Sequence, residues 1–451
     1  MSYLFFILAS GWHVILLFTS TIIDWLVSKK IYAEKDKKKS KNWLYLSLFT
    51  NFGLLAIFKY LDFIINSLNL LSLKFWWAPN MDPYGIILPV GISFYTFQTV
   101  SYSIDIYREK YEPYKSFLDF ATYASFFPQL VAGPIVRADD FKKQIDDPFL
   151  SFNSKYLRIG ISMIIFGLAK KLVIADNVAA HVDFIFIEGQ NLQNSALIWW
   201  GTICFGIQIY CDFSAYSDIA IGSALIFGIK LPENFNSPYL SRTPQEFWRR
   251  WHITLSSWLR DYLYIPLGGS RNGKNRMFFA LMITMLLGGL WHGASWNFVI
   301  WGLAHGLLLL IHRLLASFNI VKVLFELTWT RHFMIILSWF TTQSLIFFTW
   351  LIFRIEDFSM LGDSMLTFVG WEAYFDWDEA KKLLPEIHYL TIYFVILFSL
   401  FHFLPVITGK RNRDLYANSH PIIWGIITGI FFLSMLFLRP ASSPEFIYFR
   451  F

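Results

Sequence analysis

Charge is what this 451-residue sequence has least of. Asp, Glu, Lys and Arg make up 16% of it, against 55% hydrophobic residues, where a soluble protein carries about a quarter charged residues. No polar segment is long enough to be a soluble domain, which excludes the multidomain soluble protein that the length alone permits. Cysteine is scarce: Cys204 and Cys211 lie roughly 10 Å apart along one helix at ~1.5 Å rise per residue, too far for a disulfide. With no CxxC and no His/Cys cluster, no metal site is expected. GxSxG, P-loop and GxGxxG motifs are missing, so a serine-hydrolase or nucleotide-driven mechanism has no support. No Lys or Arg precedes the first apolar run, so no cleaved signal peptide is expected.

Apolar runs long enough to span a bilayer recur from end to end, and mean hydropathy is +0.46. This predicts an all-α polytopic membrane protein, read as a single membrane domain over 1–451. The net charge of +6 sits in short loops, a positive-inside pattern that needs no nucleic-acid partner. Tyr3–Val27 is the first span, and the lysine-rich loop Lys29–Lys41 after it places the N-terminus outside. Asn42–Asn66, Pro83–Tyr107, Leu157–Ile174, Ala196–Ile229, Phe333–Phe353, Ile387–Ile407 and Pro421–Leu438 follow as spans. Phe117–Val136, with Pro128, Gly133 and Pro134, reads as re-entrant. Asp176, Asp183 and Glu188 are assigned to an external loop. The total is about ten spanning or half-spanning segments. The tail 439–451, ending Phe446-Ile447-Tyr448-Phe449-Arg450-Phe451, then falls outside the cytoplasm.

Two polar stretches interrupt this pattern. Thr243 as N-cap, Pro244 at the first helical position and Glu246 as the other half of a capping box start a helix. It is read as one amphipathic interfacial helix over 243–262, with Arg249 and Arg250 toward its polar side and His252 among apolar residues. Met277–Ile311 is too long for one span and is flanked by basic residues at both ends, so it enters and returns. The expected break runs from Gly288-Gly289 to Gly293, which puts His292 at the apex. An imidazole at membrane depth lines a polar cavity or is a satisfied interior group. Its ordinary pKa suits proton abstraction near neutrality. His305 favours a structural role. His252 has three readings: packing, headgroup contact or part of the site. The tail is an interfacial anchor or, through Tyr448, a functional hydroxyl. Asp212 and Asp218 line a cavity or bond neighbouring helices.

Taken in order, LPVGISFYTFQTVSYSIDIYR, FFPQLVAGPIVR, FGLAKKLVIAD, CDFSAYSDIAIG with GIKLPENFNSPY, EFWRRWHITLSSWLRDYLYIPLGG and GGLWHGASWNFVIWGLAHG resemble the bacterial branch of the membrane-bound O-acyltransferase family. The likeness is to its alginate and peptidoglycan O-acetylation members, with teichoic-acid D-alanylation more distant. It implies a ring of helices around a central tunnel in a bacterial inner membrane. It also implies that His292 is the family's histidine and that His252 is its second signature polar residue. FIYFRF resembles the aromatic tail of these relatives, whose tyrosine is held to relay an acyl group.

The reaction implied is acetyl transfer from a cytoplasmic thioester, acetyl-CoA or an acyl-carrier thioester, with no bound cofactor. Arg249 and Arg250 would attract the donor's phosphates, His292 act as base, and His252 orient the donor or polarise its carbonyl. Tyr448, or a serine of an extracytoplasmic acetyltransferase partner, would accept the acetyl group for a polysaccharide. The alternatives are D-alanyl transfer to teichoic acid, a non-enzymatic transporter, or a scaffold for a soluble enzyme.

Overall fold

The computed structural model describes residues 2–75, 81–147, 153–188, 194–370, 374–384, 388–441 and 443–447. Among these residues the regular elements are helices, and the β structure is one isolated bridge between Asn194 and Tyr374. Seven helices among the described residues are long and apolar enough to cross a membrane: Ser2–Ala33, Lys37–Ser72, Ser195–Ile226, Trp296–Leu315, Thr330–Arg354, Tyr389–Thr408 and Pro421–Leu438. The all-α polytopic expectation holds, and the other expected passes are helices that are shorter, broken or less apolar. Two compact units form, Met1–Leu157 with Ser223–Pro232, and Arg158–Gly222 with Glu233–Phe451.

The first unit contains α1 (Ser2–Ser10), α2 (Val14–Ala33), α3 (Lys37–Leu55), α4 (Leu61–Phe75), α5 (Ile92–Tyr107), α6 (Phe117–Ser125), α7 (Phe127–Leu130) and α8 (Ala138–Ile145). The Ser- and Thr-rich α5 packs against α2 and α3, and every residue from Ile92 to Ser103 is buried. Its hydroxyls serve a polar seam. Thr99 donates to Asn51 Oδ1 at 3.1 Å, and the Asn51 amide donates to buried Asp24 at 2.9 Å. The span expected from Pro83 starts as a helix only at Ile92. Gly91 before it has φ +73°, and a Cβ there would lie 2.6 Å from the Leu130 carbonyl oxygen. The expected re-entrant stretch is two short helices, α6 and α7, parted at Phe126.

Most of the remaining elements build the second unit: α9 (Ser154–Ala169), α10 (Asp176–Asp183), α11 (Ser195–Ile226), α12 (Pro244–Arg250), α13 (Ile253–Leu259), α14 (Lys274–His292), α15 (Trp296–Leu315), α16 (Asn319–Glu326), α17 (Thr328–Arg354), α18 (Phe358–Val369), α19 (Trp377–Leu383), α20 (His388–Thr408), α21 (Asn412–Ala417) and α22 (Pro421–Leu438). The first turn of α9 and the last of α11 belong to the first unit.

The external loop expected around Asp176, Asp183 and Glu188 is instead helix. A π-helix at Lys170–Ala175 joins α9 to α10, and a second one, Phe184–Glu188, follows. Two cations explain the error: Lys171 of the π-helix pairs with buried Asp176 at 2.8 Å, and Arg354 at the end of α17 pairs with Asp183 at 2.8 Å. The acids are neutralised by protein rather than by water.

Met277–Ile311 enters and returns as the antiparallel pair α14 and α15. The break is later than expected. α14 runs through Gly288 and Gly289 and ends at His292, leaving Gly293, Ala294 and Ser295 as the turn. The glycines serve close approach instead. A Cβ on Gly289 would stand 2.2 Å from the Phe298 carbonyl oxygen, and one on Gly302 would stand 2.4 Å from that of Met285.

Candidate active site

His292 closes α14 and is 3% exposed. Its imidazole stands edge-to-face against Trp291, Trp301 and Phe353, with ring centroids at 5.0, 4.9 and 5.5 Å. Trp301, five residues past the start of α15 and fully buried, also packs against His305 at 4.4 Å. Phe247 and Trp248 of α12 cover the far side of His305 at 6.1 and 5.1 Å. His305, expected to be structural, is fully buried in this basket, and neither of its ring nitrogens has a hydrogen-bond partner among the described residues.

The single helix expected over 243–262 is not formed. Its start is as expected, with Thr243 Oγ1 accepting from the Glu246 N–H at 3.0 Å, although the Glu246 carboxylate reaches back to the N–H of Arg242 rather than of the cap. α12 then stops at Arg250. Trp251 is extended and His252 is left-handed at φ +41°, before α13 resumes at Ile253. A neighbouring segment causes the break: Asn236 N–H donates to the Arg250 carbonyl, and Ile253 N–H to that of Asn234, both at 2.9 Å. A non-glycine residue held left-handed costs about 1–3 kcal/mol and persists only where its surroundings over-determine it. Here the surroundings are the Asn234 side chain, fully buried. Its Oδ1 lies 3.1 Å from His252 Nδ1 and accepts from Thr254 Oγ1 at 2.9 Å, while its Nδ2 donates to Ser217 Oγ at 3.2 Å. Because the Thr254 N–H also points at Oδ1, that atom is the amide oxygen and only accepts. The proton of the neutral imidazole therefore sits on Nδ1, and Nε2 carries the lone pair. Burial pushes His252 down from 6.5 to about 3, so it stays neutral at physiological pH.

The apolar face of the segment is also not left for lipid. Phe247, Trp251, Leu255, Trp258, Leu259 and Tyr262 are all buried, with Trp251 packed on Trp350 of α17 at 4.8 Å. His252 lies 5.6 Å from Trp291, ring to ring. The structure thus brings the two sequence-predicted histidines to one indole, that of Trp291. Of the two predicted phosphate-attracting arginines, Arg249 is exposed. Arg250 is committed to Glu246 at 2.8 Å and to the Asn236 carbonyl at 3.1 Å.

Tyr448 lies outside the described residues. The chain just before it does not: Phe446 is 9% and Ile447 3% exposed. Phe446 packs on Tyr216 and Phe213 of α11 at 5.0 and 6.1 Å, and Phe213 stands edge-on to His252 at 4.7 Å. The tail is thus interior at Phe446 and Ile447.

A cavity of about 290 Å³ opens on the other side of Asn234. Its walls are apolar, from α20 and α22, and its floor is charged. Lys170 donates to Asp218 at 2.7 Å and to Ser214 at 2.8 Å, Arg413 pairs with Asp218 and with Glu233, and Arg411 pairs with Glu233 at 2.8 Å. Asp218 thus lines a cavity, whereas Asp212 bonds the tail. Neither His252 nor His292 lines this cavity; Asn234 connects it to the site. Sequence reasoning missed Asn234, Trp291 and Lys171. All three sit in segments quoted above for their resemblance, but a buried amide or indole carries no spacing signal of its own.

Residues 5–353 match the model of the membrane-bound O-acyltransferase family. The chain belongs to that family. As an O-acyltransferase and a multi-pass membrane protein it is 34% identical to the peptidoglycan O-acetyltransferase of Helicobacter pylori, over 97% of this chain and 87% of that protein. It is 38% identical to the probable alginate O-acetylase AlgI of Pseudomonas aeruginosa, over 82% of this chain and 69% of the relative. The teichoic acid D-alanyltransferase of Bacillus subtilis is 30% identical over 53% of this chain. The membrane-bound O-acyltransferases set the chemistry to be placed on this geometry.

Proposed function

We propose that this O-acyltransferase moves an acetyl group from a cytoplasmic thioester to a hydroxyl on the other side of a bacterial inner membrane, for O-acetylation of a cell-envelope polysaccharide of the peptidoglycan or alginate type. The observation that carries the reading is the placing of His292 and His252 on one buried indole at the turn of the α14–α15 pair. The near full-length likeness to acetyl-transferring relatives supports acetyl over D-alanyl, whose relatives match about half of the chain.

In this scheme the donor is acetyl-CoA or an acyl-carrier thioester, drawn to the basic face by exposed Arg249 more than by Arg250, which is already paired. His292 takes the proton of the acceptor hydroxyl as its oxygen attacks the thioester carbon. The carbon–sulfur bond breaks, and the proton passes to the departing thiolate. The products are an ester and a free thiol, and a site closed to bulk water limits thioester hydrolysis. With its proton committed to Asn234, His252 is an acceptor at Nε2. It orients a donor N–H or O–H and is not the group that polarises the carbonyl. The acceptor is Tyr448 of the tail or a serine of an extracytoplasmic partner enzyme that completes transfer to the polysaccharide.

The test is acetyl transfer by the purified protein. His292→Ala should lower the rate by about 10²–10⁴-fold, the usual contribution of a general base, and an unchanged rate would remove the base from the scheme. Tyr448→Phe should abolish a stable acetyl adduct on the chain; an undiminished adduct would place the acceptor elsewhere.

A further inference from the structure

The C-terminal segment is held by groups that the transfer chemistry above does not use. α22 ends at Leu438, whose carbonyl accepts from Asn177 Nδ2 at 2.7 Å. Further on, the Pro444 carbonyl accepts from Lys171 Nζ at 3.2 Å, and the Ile447 N–H donates to Asp212 Oδ2 at 2.8 Å. Ser443 and Glu445 are exposed, whereas Phe446 and Ile447 are buried. The chain therefore dives from the surface into the protein over these few residues.

The groups that receive it form a cluster of their own. Lys171 Nζ lies 2.8 Å from Asp176 Oδ1 and 3.1 Å from Asp212 Oδ1, and the two carboxylates are 0% and 3% exposed. One ammonium thus faces two dry carboxylates. Such a group is tolerated only when its remaining lone pairs are filled by hydrogen bonds. The tail fills one of them with the Ile447 N–H and gives the ammonium a further acceptor in the Pro444 carbonyl. Recognition is by main chain at 444 and 447 and by two apolar side chains at 446 and 447, which is how a peptide is held.

We propose that Lys171, Asp176 and Asp212 form a docking clasp, a peptide-binding site for the chain's own C-terminal segment, which holds Phe446 against Phe213, the ring that walls His252. They are positioning residues: Lys171 and Asp212 touch the tail, Asp176 holds Lys171, and none touches the reacting atoms. The purpose of the clasp rests on the proposed role of Tyr448; its existence does not.

The test reads docking, not turnover. In full-length protein with Cys204 and Cys211 replaced by alanine, Ile447→Cys should react slowly with a maleimide and Glu445→Cys fast. Adding Asp212→Leu should speed labelling at 447 by about tenfold or more, the equivalent of ~1.4 kcal/mol of docking, and leave 445 unchanged. Asp212→Asn, which keeps an acceptor oxygen, should fall between. Should Asp212→Leu not fold, Ile447→Pro deletes the donor N–H without touching the clasp and should expose a cysteine placed at Phe446. Labelling at 447 as fast as at 445 with the clasp intact would overturn the proposal, as would full protection with Asp212→Leu or Ile447→Pro. If the clasp protects the tail yet Tyr448→Phe keeps its acetyl adduct, the relay fails and the clasp stands. If Tyr448→Phe loses the adduct while the tail stays protected without Asp212, the clasp alone fails.

Discussion

His252 shows how far a side chain can be set by one neighbour. Asn234 fixes both its backbone turn and its tautomer: the Asn234 backbone carbonyl accepts from Ile253 N–H at the turn, and the side-chain oxygen sets the tautomer. Asn234→Asp would put a carboxylate where the amide is and favour the imidazolium. The pH–rate profile should then gain a second ionisation, that of His252, which the native chain lacks. A second consequence concerns stability. Burial lowers His252 from 6.5 to about 3, so below 6.5 the unfolded chain binds a proton that the folded one refuses. Stability is therefore full above about pH 6.5 and falls as pH drops toward about 3, by up to about 1.4 kcal/mol per pH unit. Thermal unfolding at about pH 7 and about pH 5 should show the loss, and His252→Asn should reduce it.

At the scale of elements, the α14–α15 pair is what carries His292, and it is closed by glycines rather than opened by them. Gly289→Ala drives a methyl group to 2.2 Å from a carbonyl oxygen, and overpacking of this kind costs about 1–3 kcal/mol. The melting temperature should fall, and transfer should fall with it because the turn that bears His292 shifts; Gly425→Ala, in helix α22 with open space at its Cβ position, should lower neither. The sequence made the in-and-out path of this pair legible, through its apolar length and its equally basic flanks. It did not make legible where the break falls, because a Gly-Gly pair reads alike as a helix breaker and as a seam. The same limit hid the break at Trp251-His252. Periodicity over 243–262 is helical throughout, and only the pairing with Asn234 and Asn236, distant in sequence, interrupts it. Ion pairing also overruled the loop reading: Asp176 and Asp183 lie in a helix, with Lys171 and Arg354 beside them.

For the whole molecule, the legible part is the class: apolar runs gave the all-helical membrane protein, and ordered motifs gave the family. Sidedness belongs to the proposal and has its own measurement. In proteoliposomes, a membrane-impermeant acetyl thioester should support transfer only when added on the face where a cysteine at Lys410 is labelled, since that basic loop is assigned to the donor side. Transfer from the opposite face alone would reverse the scheme.

The widened turn at Lys170–Ala175 has a consequence of its own. Adjacent residues on an ordinary α-helix point about 100° apart, yet here one lysine serves Asp218 at the cavity floor and the next serves Asp212 at the tail. A π turn holds one residue more than an α turn. Excising a single residue from it, Val173 for example, would tighten the coil and rotate all that lies before it relative to all that follows. Both lysines would lose their appointed acids at one stroke, so the extra residue acts as a register key that assigns two neighbouring cations to two separate tasks.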